Sequence, residues 1–390
     1  MRTMQVIGGL DPRLGGAAVA PVATAFGARL AGAQNVVVFP APGGEVPWKD
    51  DLIEMFAAAG IGVQVFPHSH IFGMRSWRWG ISLALARWLL ANTRRFDLVH
   101  AHGAWTFTTL SALLASKVAR RPSVLSTHET LTDFDVAKSR PVRRSVKRAV
   151  RRLYFAAFDL VIVSSELELQ DTGARGERIA VVPHALREAP APSPRRTTER
   201  GGLCIGYLGR FDAKKNVGMV LEAVAGRPDM FLEIAGTGPK PLVDALRSRA
   251  DSLGIANQVA WRGFVDSSAK STFFADVDVV VMPSEYECFG IAAAEAICAG
   301  VPVVVSTSTG VAHIVAKYNA GLVIKPTVRN LRGALESLGE PALLHDLTRG
   351  AAAAAREFDL DRHGARLWEH YRRLTAATER EAVPVVGDVH

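Results

Sequence analysis

Two carboxylates eight positions apart, Glu287 and Glu295, enclose the run Cys288-Phe289-Gly290-Ile291-Ala292-Ala293-Ala294. The apolar stretch Val279–Met282, followed by Pro283-Ser284, reads as a buried parallel strand ending in a loop. Residues 291–299 read as a helix. Glu287 therefore falls in the loop and Glu295 about a turn into the helix. The backbone N–H groups of Phe289, Gly290 and Ile291 are expected to stand free at the helix N-terminus, which attracts anions, phosphate above all. Acceptor carboxylates on both sides of a phosphate cradle suit a sugar joined to a nucleoside diphosphate. The plainer alternative is an ordinary helix start, with acids favoured by the macrodipole and Gly290 serving a tight turn.

Cations complete the pattern upstream. In Gly206-Tyr207-Leu208-Gly209-Arg210-Phe211-Asp212-Ala213-Lys214-Lys215-Asn216 a strand ends at Gly209, leaving Arg210 and Lys215 at its carboxyl end. Arginine offers a planar fork to phosphate oxygens and lysine a point charge. A solvated basic loop is the competing reading.

The elements that must carry these residues are legible as short apolar runs separated by helix-length segments. Strands are expected at residues 4–7, 36–39, 62–66, 98–101, 123–126, 160–164 and 179–182, then at 204–208, 231–235, 259–262, 279–282, 303–306 and 322–324. Runs apolar on both faces indicate parallel sheets covered by helices. Residues 188–202, rich in Pro, Arg, Thr and Glu, break the pattern and read as a linker. The chain thus divides into an N-terminal α/β domain over 1–187 and a C-terminal one over 203–359. Residues 360–390 supply a last helix, with Trp368, Tyr371 and Leu374 on one face, that either packs back on the first domain or is an ordinary amphipathic cap. Ligands of open parallel sheets bind beyond the carboxyl ends of the strands, and two such domains facing each other would form a cleft.

The order Gly-Arg-x4-Lys-Asn at 209–216, Gly236-Thr237-Gly238-Pro239 after a strand, Gly263-Phe264-Val265, and Glu-x7-Glu at 287–295 resembles the retaining glycosyltransferases of family 4. The resemblance covers most of residues 203–325 and extends more loosely through the N-terminal half. It implies the GT-B architecture: two Rossmann-like domains with parallel sheets facing a central cleft. It assigns Arg210 and Lys215 to the donor diphosphate and Gly236 to the donor site. Glu287 would hold hydroxyls of the transferred sugar, with backbone amides from Phe289, Gly290 and Ile291. Glu295 would hold the ribose, and the segment carrying Val265 would lie near the base. A front-face substitution with retention of configuration is implied, in which the leaving phosphate takes the acceptor's proton.

In the N-terminal half, Gly8-Gly9-Leu10-Asp11-Pro12-Arg13-Leu14-Gly15-Gly16 joins the first strand to its helix. It is not a dinucleotide fingerprint but is similar to the family's Gly-Gly loop, which puts Gly16 near the donor phosphates and Gly15 near the acceptor. Ala17 and Ala18 stand where that loop often carries a charge. His100, His102 and His128 end neighbouring strands. One strand-end histidine is usually structural; three at one sheet edge favour function. The resemblance puts His128 beside the transferred sugar and acceptor, with His102 in the same cleft. Asp133 and Asp135 are further candidates for the acceptor, with plain solvation as the competing reading. Asp276-Val277-Asp278 has the look of a metal-binding Asp-x-Asp motif, but it precedes its strand and so lies at the wrong sheet edge; helix capping is the expected role. No metal or other cofactor is expected, and the nucleotide sugar is a substrate.

Residues 138–152 hold eight cations, Lys138, Arg140, Arg143, Arg144, Lys147, Arg148, Arg151 and Arg152, and no acid. Val142, Val146, Ala149, Val150 and Leu153 recur among them at helical spacing, followed by Tyr154, Phe155 and Phe158. This is an amphipathic surface helix. Over residues 138–158 an anionic membrane surface and a plain solvated face are both open readings. Nucleic acid is not expected, because the aromatics do not form a stacking face. The chain's 390 residues, with a formal charge of +8 and three cysteines lacking ligand spacing, fit two domains in a reducing compartment and an acidic partner. A cytoplasmic enzyme, peripheral on the inner face of the cell membrane, is the expectation, with a saccharide or lipid-linked saccharide acceptor from surface polysaccharide synthesis. A nucleotide-sugar epimerase or hydrolase of the same fold, or a non-catalytic basic nucleic-acid-binding protein, are the alternatives.

Overall fold

A computed structural model describes residues 1–10, 16–42, 51–69, 79–190 and 201–382. The chain divides into two compact units. One comprises Met1–Ser164, Glu168–Arg187 and the helix Leu360–Ala382; the other comprises Ser165–Leu167 and Glu188–Asp359. The linker expected over 188–202 falls mainly on residues 191–200, outside the described residues.

Among the described residues the first unit holds β1 (Arg2–Ile7), β2 (Gln34–Ala41), β3 (Gly62–Pro67), β4 (Leu98–His102), β5 (Ser123–Ser126), β6 (Leu160–Val163) and β7 (Ile179–Val181). They pair in parallel in the order β3-β2-β1-β4-β5-β6-β7. The second unit holds β8 (Leu203–Leu208), β9 (Met230–Ala235), β10 (Val259–Gly263), β11 (Val279–Met282), β12 (Val303–Ser306) and β13 (Gly321–Ile324), in the order β10-β9-β8-β11-β12-β13. All the strands expected from the sequence are present, with ends shifted by at most two residues. Valine-rich runs such as β11 and β12 are wholly buried, as strands covered by helices on both faces must be.

Each sheet reverses its direction of growth once: between β1 and β4 in the first unit, and between β8 and β11 in the second. At such a switch point the connections leave on opposite faces and open a crevice beyond the strand ends, where ligands of doubly wound sheets sit. His102 ends β4, Arg210 and Lys215 follow β8, and Glu287 follows β11, whereas His128, Gly236 and Val265 follow β5, β9 and β10.

The helix Leu360–Ala382 is part of the first unit's core. Leu367 and Tyr371 are fully buried among Leu98, Val124, Leu160 and Ile162, with Trp368 and Leu374 packed beside them. It lies close against the helix Gly16–Leu30: a Cβ on Gly364 would stand 2.1 Å from the Gly27 carbonyl oxygen, so a side chain there would force the helices apart.

The basic helix runs Pro141–Ala157, starting three residues later than expected because Pro141 takes the first helical position. Its exposed large apolar residues are Val142, Val146 and Leu153, whereas Val150, Tyr154 and Phe155 pack against the core. The apolar positions that looked like one stripe in sequence therefore divide between two faces.

Candidate functional site

In the second unit the loop after β8 meets the loop after β11, the neighbouring strand across the switch point. Asp212 caps a single 3-10 turn, Ala213–Lys215, by accepting from Lys214 N at 3.1 Å, and Asn216 ends it in the left-handed region at φ 54°. Asn216 Nδ2 then donates to Pro283 O at 2.9 Å, and Glu285 N donates to Lys214 O at 2.8 Å. These bonds fix Lys215 beside Glu287, and the two side chains form an ion pair with each only 16% exposed. Glu287 is held in turn by the loop after β12: Glu287 N donates to Ser308 O at 2.9 Å, and Glu287 O accepts from Gly310 N at 2.8 Å. Arg210 is exposed at the end of β8 and makes no ion pair among the described residues.

The helix Ile291–Cys298 begins at Gly290, whose φ of 103° suits glycine; a Cβ there would also come within 2.9 Å of Thr309. The first backbone bond of the helix runs from Ala294 N to Gly290 O at 3.0 Å, so the N–H groups of its first turn have no partner within the helix. The Phe289 side chain is core, 1% exposed and edge-on to Phe358 at 6.0 Å, so only its backbone can serve a ligand. Ile291 is half-buried.

Glu295, 7% exposed, pairs with Lys270 at 2.6 Å. Burial pushes its carboxyl above the usual range, and the Lys270 ammonium opposes that shift. Lys270 went unnoticed in the sequence; the signal was a lysine one turn into the helix that follows Gly263-Phe264-Val265. Val265 is half-buried and Phe264 is 77% exposed beside it. Gly236 closes the arrangement, because a Cβ there would stand 1.9 Å from Gly209 O, so neither loop could approach so closely with a side chain at that position. Nearby, Phe211, Thr237, Lys240, Arg247, Trp261 and Gly263 help line a cavity of about 300 Å³.

Asp276 and Asp278 have structural roles. Asp276 pairs with Arg262 at 3.2 Å, and Asp278 accepts from Cys204 N at 2.7 Å. Among the described residues no group of three or more His, Cys, Asp or Glu side chains is arranged to hold a metal ion.

In the first unit the histidines form a stack. The His100 and His102 ring centroids lie 4.3 Å apart, His102 and His128 5.2 Å, and His128 and His184 5.1 Å. His184 extends the series beyond what the sequence suggested; it follows β7 by a few residues, and strand-end position was again the available signal. His100 is structural, bonded to Tyr371 Oη at 2.6 Å and to Ser126 Oγ at 2.8 Å. With Gln5 Oε1 facing His102 Nε2 at 2.8 Å, that nitrogen carries the proton. His102 Nδ1 then accepts from His128 Nε2 at 2.9 Å. This leaves His128 Nδ1 as an unprotonated acceptor, buried and without a hydrogen-bond partner among the described residues. Burial holds His100, His102, His128 and His184 well below the usual imidazole value, and repulsion from neighbouring histidines adds to it. Imidazoles kept neutral in this way can accept or donate a hydrogen bond but do not supply a positive charge.

Asp133 is not part of this stack: it pairs with Arg151 of the basic helix at 2.8 Å. Gly15 lies outside the described residues, and Gly16 opens the helix Gly16–Leu30.

Residues 14–187 match the family described as Glycosyltransferase Family 4, and residues 194–351 match Glycosyl transferases group 1. The chain is 27% identical over 236 residues to the uncharacterized glycosyltransferase YqgM of Bacillus subtilis, spanning 59% of this chain and 64% of that protein. It is 27% identical over 320 residues to D-inositol 3-phosphate glycosyltransferase of Acidothermus cellulolyticus, spanning 74% and 70% respectively. The fold matches that of Anabaena Alr3699/HepE, solved in complex with UDP and glucose, with a TM-score of 0.75 at 20% identity, covering 96% of this chain and 100% of the other. The two sequence matches and the shared architecture put the chain among the GT-B-fold glycosyltransferases of the family 4 and group 1 kind.

Proposed function

We propose that the protein is a retaining glycosyltransferase that moves a sugar from a UDP- or GDP-linked donor to an acceptor hydroxyl. The observation that carries this reading is the Lys215–Glu287 pair, held at the switch point of the second sheet beside the open first turn of the helix Ile291–Cys298. A cation, the N–H groups of a helix start and a carboxylate at one place are complementary to a diphosphate followed by a polyhydroxylated ring.

In this reading Arg210, Lys215 and the backbone of residues 289–291 take the diphosphate. Glu287 orders the sugar hydroxyls. Glu295, steadied by Lys270, takes the ribose hydroxyls, and Val265 with Gly236 borders the nucleoside. The acceptor, a saccharide in free or lipid-linked form, is held by the first unit through Gly15, His102, His128 and Asp133. The glycosidic carbon–oxygen bond to the leaving phosphate breaks on the same face on which the acceptor oxygen bonds. The acceptor's proton passes to the departing phosphate oxygen, so the products are the glycoside and the nucleoside diphosphate. Catalysis then rests on cations and amide dipoles aimed at the charge that develops on the leaving group.

Titrating UDP and GDP into the purified protein in the presence of a chelator tests the donor site. One of the two is expected to bind, and Glu295→Ala to weaken it about tenfold or more through loss of the ribose contact. Undiminished binding by the variant would remove Glu295 from the site.

We place the enzyme at the inner face of the cell membrane, in surface polysaccharide synthesis. Supporting this, the helix Pro141–Ala157 exposes Val142 at 79%, Val146 at 57% and Leu153 at 53% among its arginines, a composition suited to an anionic interface. The protein is expected to sediment with vesicles containing anionic lipid and to be released when Val142, Val146 and Leu153 are all changed to serine. Equal recovery of both proteins in the supernatant would refute the membrane role.

A further inference from the structure

We propose that Glu168 is a positioning residue that fixes the place and orientation of the His128 imidazole; its importance for transfer rests on the reading of the acceptor site given above. Glu168 lies in the helix Glu166–Thr172, just beyond β6, and is fully buried. A carboxylate has about four lone-pair directions, and four donors meet this one. Oε1 accepts from Thr127 Oγ1 at 2.6 Å and from Glu129 N at 2.7 Å. Oε2 accepts from Ser164 N at 2.7 Å and from Ser164 Oγ at 2.7 Å.

The first two donors belong to the residues on either side of His128, so one carboxylate oxygen clamps the turn from both sides. The turn needs such a clamp. His128, Glu129 and Leu131 have φ of 48°, 74° and 71°, three side-chain-bearing residues in the left-handed region within four positions. L residues adopt that region reluctantly, and it persists where surrounding bonds over-determine it. The second oxygen ties the turn to the end of β6, the strand next to β5 in the sheet. The clamp thereby fixes the backbone from which His128 reaches His102, and so the direction of its open Nδ1. Burial pushes the Glu168 carboxyl upward while the bonds it accepts pull it down. The geometry calls for a carboxylate: two of the four donors are backbone N–H groups, one on each oxygen. An amide in its place would set N–H against N–H on one side.

The test uses the full chain with Glu168→Gln and, as a milder second variant, Thr127→Val, which removes one of the four donors. Three properties are read: the His128 imidazole resonances in nitrogen-15 spectra, nucleoside diphosphate affinity by calorimetry, and steady-state transfer. Both variants are expected to shift or broaden the His128 resonances. Nucleotide affinity, a property of the second unit, is expected to stay within about twofold. The kcat/KM for acceptor is expected to fall about tenfold or more, as misplacement of a positioned group does. Unchanged His128 resonances in folded Thr127→Val, or in folded Glu168→Gln, would overturn the proposal. A resonance shift with kcat/KM unchanged would also overturn it. Should the wild-type protein bind no nucleotide and transfer no sugar, the glycosyltransferase reading alone falls, and the resonances still decide whether Glu168 positions His128.

Discussion

Lys215→Ala is expected to lower the rate of sugar transfer by about 10²–10³, the usual loss when one group stabilising a developing negative charge is removed from a prepared site. Lys215 stands on a short turn that is capped by Asp212 and pinned through Asn216 to Pro283, from which it would reach the charge in the proposed site. The partner cation, Arg210, is exposed and less constrained, so it cannot replace a charge fixed at the switch point. The same change strips Glu287, 16% exposed, of its ammonium partner. Leaving a mostly covered carboxylate unpaired is expected to cost about 1–3 kcal/mol of stability. The double variant Lys215→Ala/Glu287→Gln separates these effects. It should recover much of the stability, read from the urea midpoint, while transfer stays at or below the level of the single variant. Wild-type turnover in purified Lys215→Ala would remove the lysine from the mechanism.

The second large effect is acid instability of the first unit. His100, His102, His128, His184 and His363 are all buried with their protonated forms disfavoured, His363 down to about 4. An unfolded histidine titrates near 6.5. Between that value and the lowered native one, the unfolded chain binds protons that the native chain does not. Stability is therefore complete above about pH 6.5 and falls as pH drops, by up to about 1.4 kcal/mol per pH unit for each such histidine. At pH 5 a histidine held as low as His363 costs about 2 kcal/mol, a sizeable share of the about 5–15 kcal/mol that stabilises a typical domain. The urea midpoint should thus fall steeply between pH 6.5 and pH 5, before most carboxylates are protonated. A midpoint that stays level from pH 7.5 to pH 5 would show that the stacked imidazoles are not held neutral by burial.

Strand positions were legible because each strand is short, apolar on both faces and bounded by glycine, proline or charge, a pattern that a covered parallel sheet imposes. β11 and β12 are the clearest cases. The positions of the residues proposed for the donor site were legible for a related reason: most stand at strand ends and one helix start, where local sequence dictates local geometry. Lys270 and Glu168 were not, because their significance depends on partners 25 and 41 positions away, Glu295 and Thr127. No local period reports a pairing of that kind. The basic helix shows the same limit. Spacing placed Val142, Val146, Val150 and Leu153 on one amphipathic helix, but only the packed structure shows that Val150 turns inward with Tyr154 while the others stay exposed.

The central claim is that the second unit prepares a site for the diphosphate of an activated sugar and that the first unit holds the acceptor. Release of nucleoside diphosphate from UDP- and GDP-sugars, followed with and without saccharide acceptors, tests it most directly. The account predicts that one donor is consumed, that release is stoichiometric with a new glycoside of retained anomeric configuration, and that release requires an acceptor. Consumption without an acceptor at the same rate, or a product of inverted configuration, would contradict it.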